Sequence, residues 1–506
     1  MTSAQIAIMT TIILYLCLVI FTGVMIGKRS KKSAEGFYLG GRGMGPLVTA
    51  MSAEASDMSS YLLMGIPGLA YLSGVADASW TAIGLAIGTY LNFLLVARRL
   101  RRYSVELDAI TIPSFISKRY GEKKPIIMGI ASLIILVFFV PYVASGLAAI
   151  GKLFNSLFGW NYMLSVIVGA IVIISYTSVG GFSAVATMDL IQSVIMTVAL
   201  CVIVVFGIVQ AGGMDAVLAH ASSLPGFLSF GQTYNAASGQ AEPYGLIRIV
   251  SMLAWGLGYF GMPHILVRFM SIEKPSMIKK SSTVAIIWVI ISLFSAVLIA
   301  YFGRMIMGAE LLADGSQKLV FIAMSRKFFP AAICGLLLAA IIAASISTAD
   351  SQLLVASSSF TADLYKPFFR KNATEKETLM VGRILVLILS AIAFLIANSK
   401  GSGAQAIMDM VENAWGAFGA SFGPTILLSL FWRRFNYKGA VAGVVSGFVV
   451  DLGWLLTGLT ASTGIFEIVP GFIASFIIAV IVAKCTAAPN AKAVEIFDKG
   501  TSQDAD

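Results

Sequence analysis

The chain has 506 residues, of which 58% are hydrophobic and only 12% charged, and its mean hydropathy is +0.89. Soluble domains carry about 25% charge, so this composition excludes a large soluble domain and points to a surface solvated by lipid. The formal net charge of +10 would suit nucleic acid, but it sits in short clusters between apolar runs and reads as a topology signal, with no nucleic-acid partner implied.

The opening segment, MTSAQIAIMT, has no basic stretch before its first apolar run. The run is therefore expected to persist as a helix and not to be removed as a signal peptide. A crossing needs about 20 mostly apolar residues. Thirteen candidates follow in order: 6–27, 45–72, 75–98, 124–153, 161–178, 185–211, 244–271, 281–305, 331–358, 378–397, 405–431, 438–458 and 465–485. The loop at 212–243 is rich in Gly, Ala and Ser, and the tail from Ala487 is polar and expected to be mobile.

Numbering the loops alternately separates the basic residues. One set holds Lys28-Arg29, Lys31-Lys32, Arg98-Arg99, Arg101-Arg102, Lys118-Arg119, Lys123-Lys124, Lys279-Lys280, Arg370-Lys371 and Arg433-Arg434. The other holds only scattered ones: Lys152, Arg248, Arg304, Lys318, Arg326, Lys327 and Lys400. Cytoplasmic loops carry the Lys/Arg excess. The prediction is an N-terminus outside, a C-terminus inside and a multi-pass protein of a bacterial cytoplasmic membrane.

Cys17, Cys201, Cys334 and Cys485 lie in or beside apolar runs without a CxxC partner, and the only histidines are His220 and His264. Neither a disulfide framework nor a metal enzyme is suggested.

Two spans are interrupted. The second reads TAMSAEASDMSSYLLMGIPG, with Glu54, Ser56, Asp57, Ser59 and Ser60 followed by Gly65, Pro67 and Gly68. The seventh reads SMLAWGLGYFGMPHILVRF, with Gly256, Gly258, Gly261 and Pro263. Open backbone inside a membrane is tolerated where it lines a cavity, and transporters bind substrate and ions at such breaks. The breaks lie five spans apart, so spans two to six and seven to eleven form two five-helix units of opposite orientation, each opening on its broken helix. The organisation expected is one transporter domain over 1–506: an extra helix and loop at 6–44, repeats at 45–211 and 244–431, two further helices at 438–485 and a tail at 486–506. For either break alone, helix packing is the more ordinary use of Gly and Pro; two breaks at equivalent positions, with an acid inside one, favour a site.

The ninth span, AAIIAASISTADSQLL, offers Ser345, Ser347, Thr348, Asp350 and Ser351. Hydroxyls and freed carbonyls suit a hard monovalent cation, with Ala344, Ala55 and Met58 as carbonyl sources; packing or back-bonding to the preceding turn is the alternative. An acid at depth is a functional hypothesis by default, which singles out Asp57 and Glu54. Asp77, Asp409, Glu412 and Asp451 lie near span ends, where solvation explains them. Trp255 and Tyr259 share a helical face and Tyr142 follows Pro141, an aromatic set suited to an apolar ring.

The segments YLGGRGMGPLVTAMSAEASDMSSYLLMGIPG, WGLGYFGMPHILVRFM, STADSQLLVASSSFTADLYK and AWGAFGASFGP run across essentially the whole chain. In these the sequence resembles the sodium/solute symporter family, and most its bacterial sodium/proline symporter branch. The resemblance implies an all-α polytopic protein with a LeuT-like 5+5 inverted repeat, ten core helices with one before and two after. It implies one Na+ carried with one substrate, most plausibly L-proline. Sodium ligands would fall on Ala55, Met58, Ala344, Ser347 and Thr348, with Asp57 as the sodium-linked acid. Substrate positions would fall on Ser59, Tyr61, Gly65, Tyr142, Trp255, Tyr259 and Pro263, and gating positions on Arg42 and Asp189.

The chain departs from the branch at Ser60-Tyr61, where Gly-Trp is usual, and at Glu54 and Asp350. These leave open another solute, such as a different amino acid or pantothenate, and leave open coupling to protons. A non-transporting sensor of the same fold is a further alternative, but sensors carry a signalling domain and this sequence ends shortly after its last apolar run. A membrane enzyme is disfavoured by the lack of a nucleophile–base pair.

Overall fold

The computed structural model describes residues 2–28, 33–312, 315–399 and 404–501. Arg29, Lys31, Lys32 and Lys400, used above for orientation, and the tail beyond Thr501 lie outside the described residues.

The helices in chain order are α1 Ser3–Gly27, α2 Pro46–Met58, α3 Ile66–Ser73, α4 Val75–Leu91, α5 Arg98–Glu106, α6 Ile112–Arg119, α7 Ile126–Phe158 and α8 Tyr162–Gln210. Then follow α9 Met214–Ser223, α10 Leu246–Leu253, α11 Pro263–Ser271, α12 Ile278–Met307, α13 Val320–Phe328, α14 Ala331–Ser358, α15 Glu375–Ser399 and α16 Ala404–Phe431. The chain closes with α17 Tyr437–Leu456, α18 Ile468–Cys485 and α19 Ala491–Thr501. The predicted loop at 212–243 is ordered: it holds α9 and an antiparallel hairpin of β1 Gln232–Asn235 and β2 Gln240–Pro243, registered Gln232 to Pro243.

Among the described residues ten helices are long and apolar enough to cross a membrane, or eleven with the bent pair Leu246–Phe260 and Pro263–Ser271. The second and fifth apolar runs do not pass that test because each is interrupted. The second is split into α2 and a piece from Tyr61 to Ser73. The fifth runs only from Tyr162 to Ser175 before α8 breaks at Gly181, whose φ of 59° favours a residue without a Cβ.

Helix α14 is the hub. Every side chain from Leu337 to Ser358 is buried, the polar Ser345, Ser347, Thr348, Asp350, Ser351 and Gln352 among them, because neighbouring helices surround it. Its Ala and Ser residues let α1, α2, α7 and α8 approach closely. Helices α16, α17 and α18 pack together at the other side, and α16 also packs on α7. The outer faces carry Leu14, Phe21, Phe294 and Leu395 exposed. Such a surface is stable in hydrocarbon and not in water.

The tail differs from its expectation. Ala493, Ile496 and Phe497 fall on one helical face and are buried, which docks α19 on α5 and α6. The Tyr103 hydroxyl donates to the Phe497 carbonyl at 3.0 Å, and Arg433 grips Asp498 through two 2.8 Å bonds. That guanidinium holds the Asp498 carboxyl below its ordinary range.

Candidate functional site

Helix α2 ends at Met58 because Ser59 takes φ 46° and ψ −167°, a conformation that L residues rarely adopt. Such a residue costs about 1–3 kcal/mol and persists only where its surroundings fix it. The break releases the carbonyls of the last turn, Ala55 to Met58, from the helical ladder. The second break lies in a 3-10 stretch, Ala254–Phe260, followed by Gly261 and Met262 before α11 starts at Pro263. Its glycines are required by packing: a Cβ on Gly258 would stand 2.1 Å from the Trp415 indole nitrogen, and one on Gly261 would stand 2.1 Å from the Phe418 carbonyl. Helices α2 and α11 pack on each other, so the two breaks meet.

Four of the five oxygen sources expected for sodium form one hydrogen-bonded cluster. The Ser347 hydroxyl donates to the Ala55 carbonyl at 2.8 Å and approaches the Ala344 carbonyl at 3.2 Å. The Thr348 hydroxyl donates to the Ala344 carbonyl at 3.1 Å. All four residues are buried. Met58 follows at the helix end and lines the neighbouring cavity.

That cavity is walled by Asp57, Ser59, Tyr61, Tyr142, Trp255 and Trp415, with Met58, Leu85 and Val411 completing it. Its volume is about 10 Å³, room for about one water. Tyr61 stacks on Trp255 with centroids 5.1 Å apart, and the Trp415 indole donates to the Trp255 carbonyl at 2.7 Å. Tyr259 stands behind this wall, its hydroxyl donating to Asp57 Oδ2 and its ring edge-on to Trp415. Gly65 and Pro263 are buried in their breaks but do not line the cavity. Glu54 is buried too, and among the described residues its Oε2 has no hydrogen-bond partner.

The two expected gating residues lie apart, each in its own cluster, and both clusters grip α11. Arg42, itself at φ 53°, donates to Glu35 at 2.8 Å, to the Ser104 hydroxyl at 2.9 Å, and to the carbonyls of Met270 and Ala109 at 3.0 and 2.8 Å. Asp189 pairs with Arg268 at 3.2 Å and accepts from the Ser52 hydroxyl at 2.6 Å. Arg268 also donates to Ser52 Oγ, to the His264 carbonyl and to Ser351, whose hydroxyl reaches Asp350 at 3.2 Å.

Sequence reasoning assigned no role to Arg268 or Trp415. An arginine five residues past Pro263 in an apolar run was the available signal for the first. Nothing local marked the second. Asp77 and Asp451 are not solvated as expected. Asp77 is buried, with a bidentate Arg248 at 3.0 Å and the Tyr244 hydroxyl at 2.6 Å, and Asp451 is fully buried.

Discontinuous membrane helices meeting around an oxygen cluster, beside a small aromatic cavity, define a membrane transporter. Residues 37–447 match the sodium:solute symporter family, and the chain belongs to that family, whose members are sodium-coupled transporters and not enzymes. The osmoregulated proline transporter OpuE of Bacillus subtilis (strain 168) is 41% identical over 469 residues, 91% of each chain. Sodium/proline symporter 2 of Staphylococcus saprophyticus is 40% identical over 498 residues, 96% of this chain and 94% of the relative. Among solved structures, a Na+-coupled sialic acid symporter in a substrate-bound outward-open state superposes with a TM-score of 0.75 at 20% identity, over 96% of this chain and 99% of that one. MhsT in complex with L-phenylalanine superposes with a TM-score of 0.53 at 14% identity, over 86% and 97%. These likenesses show the fold: a helical, multi-pass, LeuT-like architecture.

Proposed function

We propose that the protein imports L-proline together with Na+ by alternating access. The observation that carries this reading is the cluster of Ala55, Ala344, Ser347 and Thr348 oxygens at the end of broken α2, directly beside an aromatic cavity. Na+ would be held by the hydroxyl and carbonyl oxygens of that cluster, the hydroxyl hydrogens turning away from the ion, with the Met58 carbonyl as fifth ligand and Asp57 as the countercharge. Ser59, Tyr61, Tyr142 and Trp255 would then hold the pyrrolidine ring, Tyr259 would orient Asp57, and Gly65 and Pro263 would let the breaks flex. The names of the relatives support proline as the substrate.

The cycle follows from linkage. Na+ bridging α2 and α14 favours one arrangement of the two helices, and substrate binds that arrangement more tightly. Arg42 and the Asp189–Arg268 pair, both gripping α11, would set the inner gate. One charge moving through 100 mV supplies about 2.3 kcal/mol and a tenfold Na+ gradient about 1.4 kcal/mol, enough for roughly 500-fold accumulation.

The proposed topology is thirteen crossings, with the N-terminus outside, the C-terminus inside and two inverted repeats at 45–211 and 244–431. The two interrupted runs, added to the eleven apolar spans, supply that number. Uptake of labelled proline by proteoliposomes, driven by a Na+ gradient or by a proton gradient, tests the function. Uptake with the proton gradient alone removes Na+ coupling, and failure of proline against a substrate panel removes proline. Tyr61 in the cavity wall favours, as a second reading, a related small solute in place of proline.

A further inference from the structure

On the face carrying α5, α6 and α19, away from the oxygen cluster, lies a cavity of about 720 Å³. Six lysines line it: Lys118, Lys123, Lys366, Lys371, Lys492 and Lys499. Three carboxylates share the wall, and two of them neutralise one of these lysines. Glu106 and Glu495 hold Lys499 at 3.3 and 3.0 Å. Glu122 caps α7, accepting the amides of Ile127 and Met128 at 2.7 and 3.4 Å and the Tyr437 hydroxyl at 2.8 Å. Among the described residues no carboxylate stands within ion-pair distance of Lys123, Lys366, Lys371 or Lys492.

Unneutralised cations converging on one concave site concentrate anions there. The lysines come from three separate segments: the end of α6 and the turn after it, the chain after α14, and α19. The helix that carries two of them is held independently of any anion: α19 is bonded by Tyr103, by Arg433 and by Arg119, whose guanidinium donates to the Ala493 carbonyl at 2.6 Å. Ile126 and Phe368, next in sequence to the lining residues Pro125 and Pro367, are exposed apolar groups.

We propose that this cavity binds a phosphate-bearing anion and thereby ties α19 to the α6–α7 turn and to the segment after α14. The shared chemistry is a phosphate group with more than one negative oxygen facing several ammonium groups. It is presented either by an anionic phospholipid head group or by a free polyphosphate.

The test uses the full-length protein in neutral detergent, titrated with tripolyphosphate, with short-chain phosphatidylglycerol and with short-chain phosphatidylcholine as the uncharged comparison. Binding is read by thermophoresis, independently of transport. Saturable binding is expected for at least one anion and not for phosphatidylcholine. It should weaken at least tenfold in K123Q/K371Q/K492Q and stay unchanged in K279Q/K280Q, which lie outside the cavity. Whichever anion binds identifies the source. If the triple variant melts early, K123Q/K492Q makes the same comparison. Absence of saturable binding by both anions, or equal binding by the lysine variants and the parent, overturns the proposal.

Discussion

Asp57 and Asp189 are two buried carboxylates in the same transmembrane core, and their surroundings differ in one respect. Asp189 has a cation built in: Arg268 at 3.2 Å, with Ser52 at 2.6 Å alongside. Asp57 has the Tyr259 hydroxyl and, among the described residues, no basic partner. Removing a carboxylate from water is costly unless an opposite charge accompanies it. The built-in pair acts as a strut joining α2, α8 and α11 in this conformer, and the single acid lacks a countercharge among the described residues, as the proposed sodium role of Asp57 requires.

Breaking the strut gives the largest expected effect. Arg268→Met strands Asp189 and should lower stability by about 3–5 kcal/mol. The double variant Arg268→Met with Asp189→Leu should regain most of that, as read by thermal melting in detergent. Equal melting of the single and double variants would show that the pair is not the strut.

Asp57→Asn should leave melting near that of the parent and reduce sodium activation of uptake more than about 100-fold, a loss above about 2.7 kcal/mol. Unchanged sodium dependence in the variant would remove Asp57 from the ion's path. Ser347→Ala deletes one hydroxyl while the Thr348 hydroxyl and the three carbonyls of Ala55, Met58 and Ala344 remain. A hydrogen bond to a charged group contributes about 1.5–3 kcal/mol, so a roughly tenfold rise in the sodium concentration for half-maximal uptake is expected. An unchanged value would detach the oxygen cluster from Na+. The smallest effect is expected of Tyr61→Trp, which keeps the stack on Trp255: about a threefold change in the apparent affinity for the organic substrate, from altered pocket shape, with sodium dependence intact. A shift in sodium dependence would instead join Tyr61 to the ion site.

The sequence made the breaks legible because their causes are local. Ser59-Ser60, the run of Gly256, Gly258 and Gly261, and Pro263 interrupt apolar spans within a few residues. Ser347 and Thr348 stood out as adjacent hydroxyls in an apolar span, but the resemblance, and not the local pattern, assigned them to the ion. The partnerships were not. Arg268 reaches Asp189 across 79 positions and Arg248 reaches Asp77 across 171, and no periodicity encodes those meetings. Trp415 enters the cavity wall only because Gly258 leaves space for it. The tail was misread because polar residues outnumber Ile496 and Phe497, yet these share a buried face with Ala493 and, with the bonds from Tyr103, Arg119 and Arg433, dock a helix of three turns.

The cavity of about 10 Å³ bears on how solute gains entry. With room for about one water and none for an amino acid, the pocket is shut to organic solute in this conformer. The stacked rings of Tyr61 and Trp255 must part before such a solute can enter it.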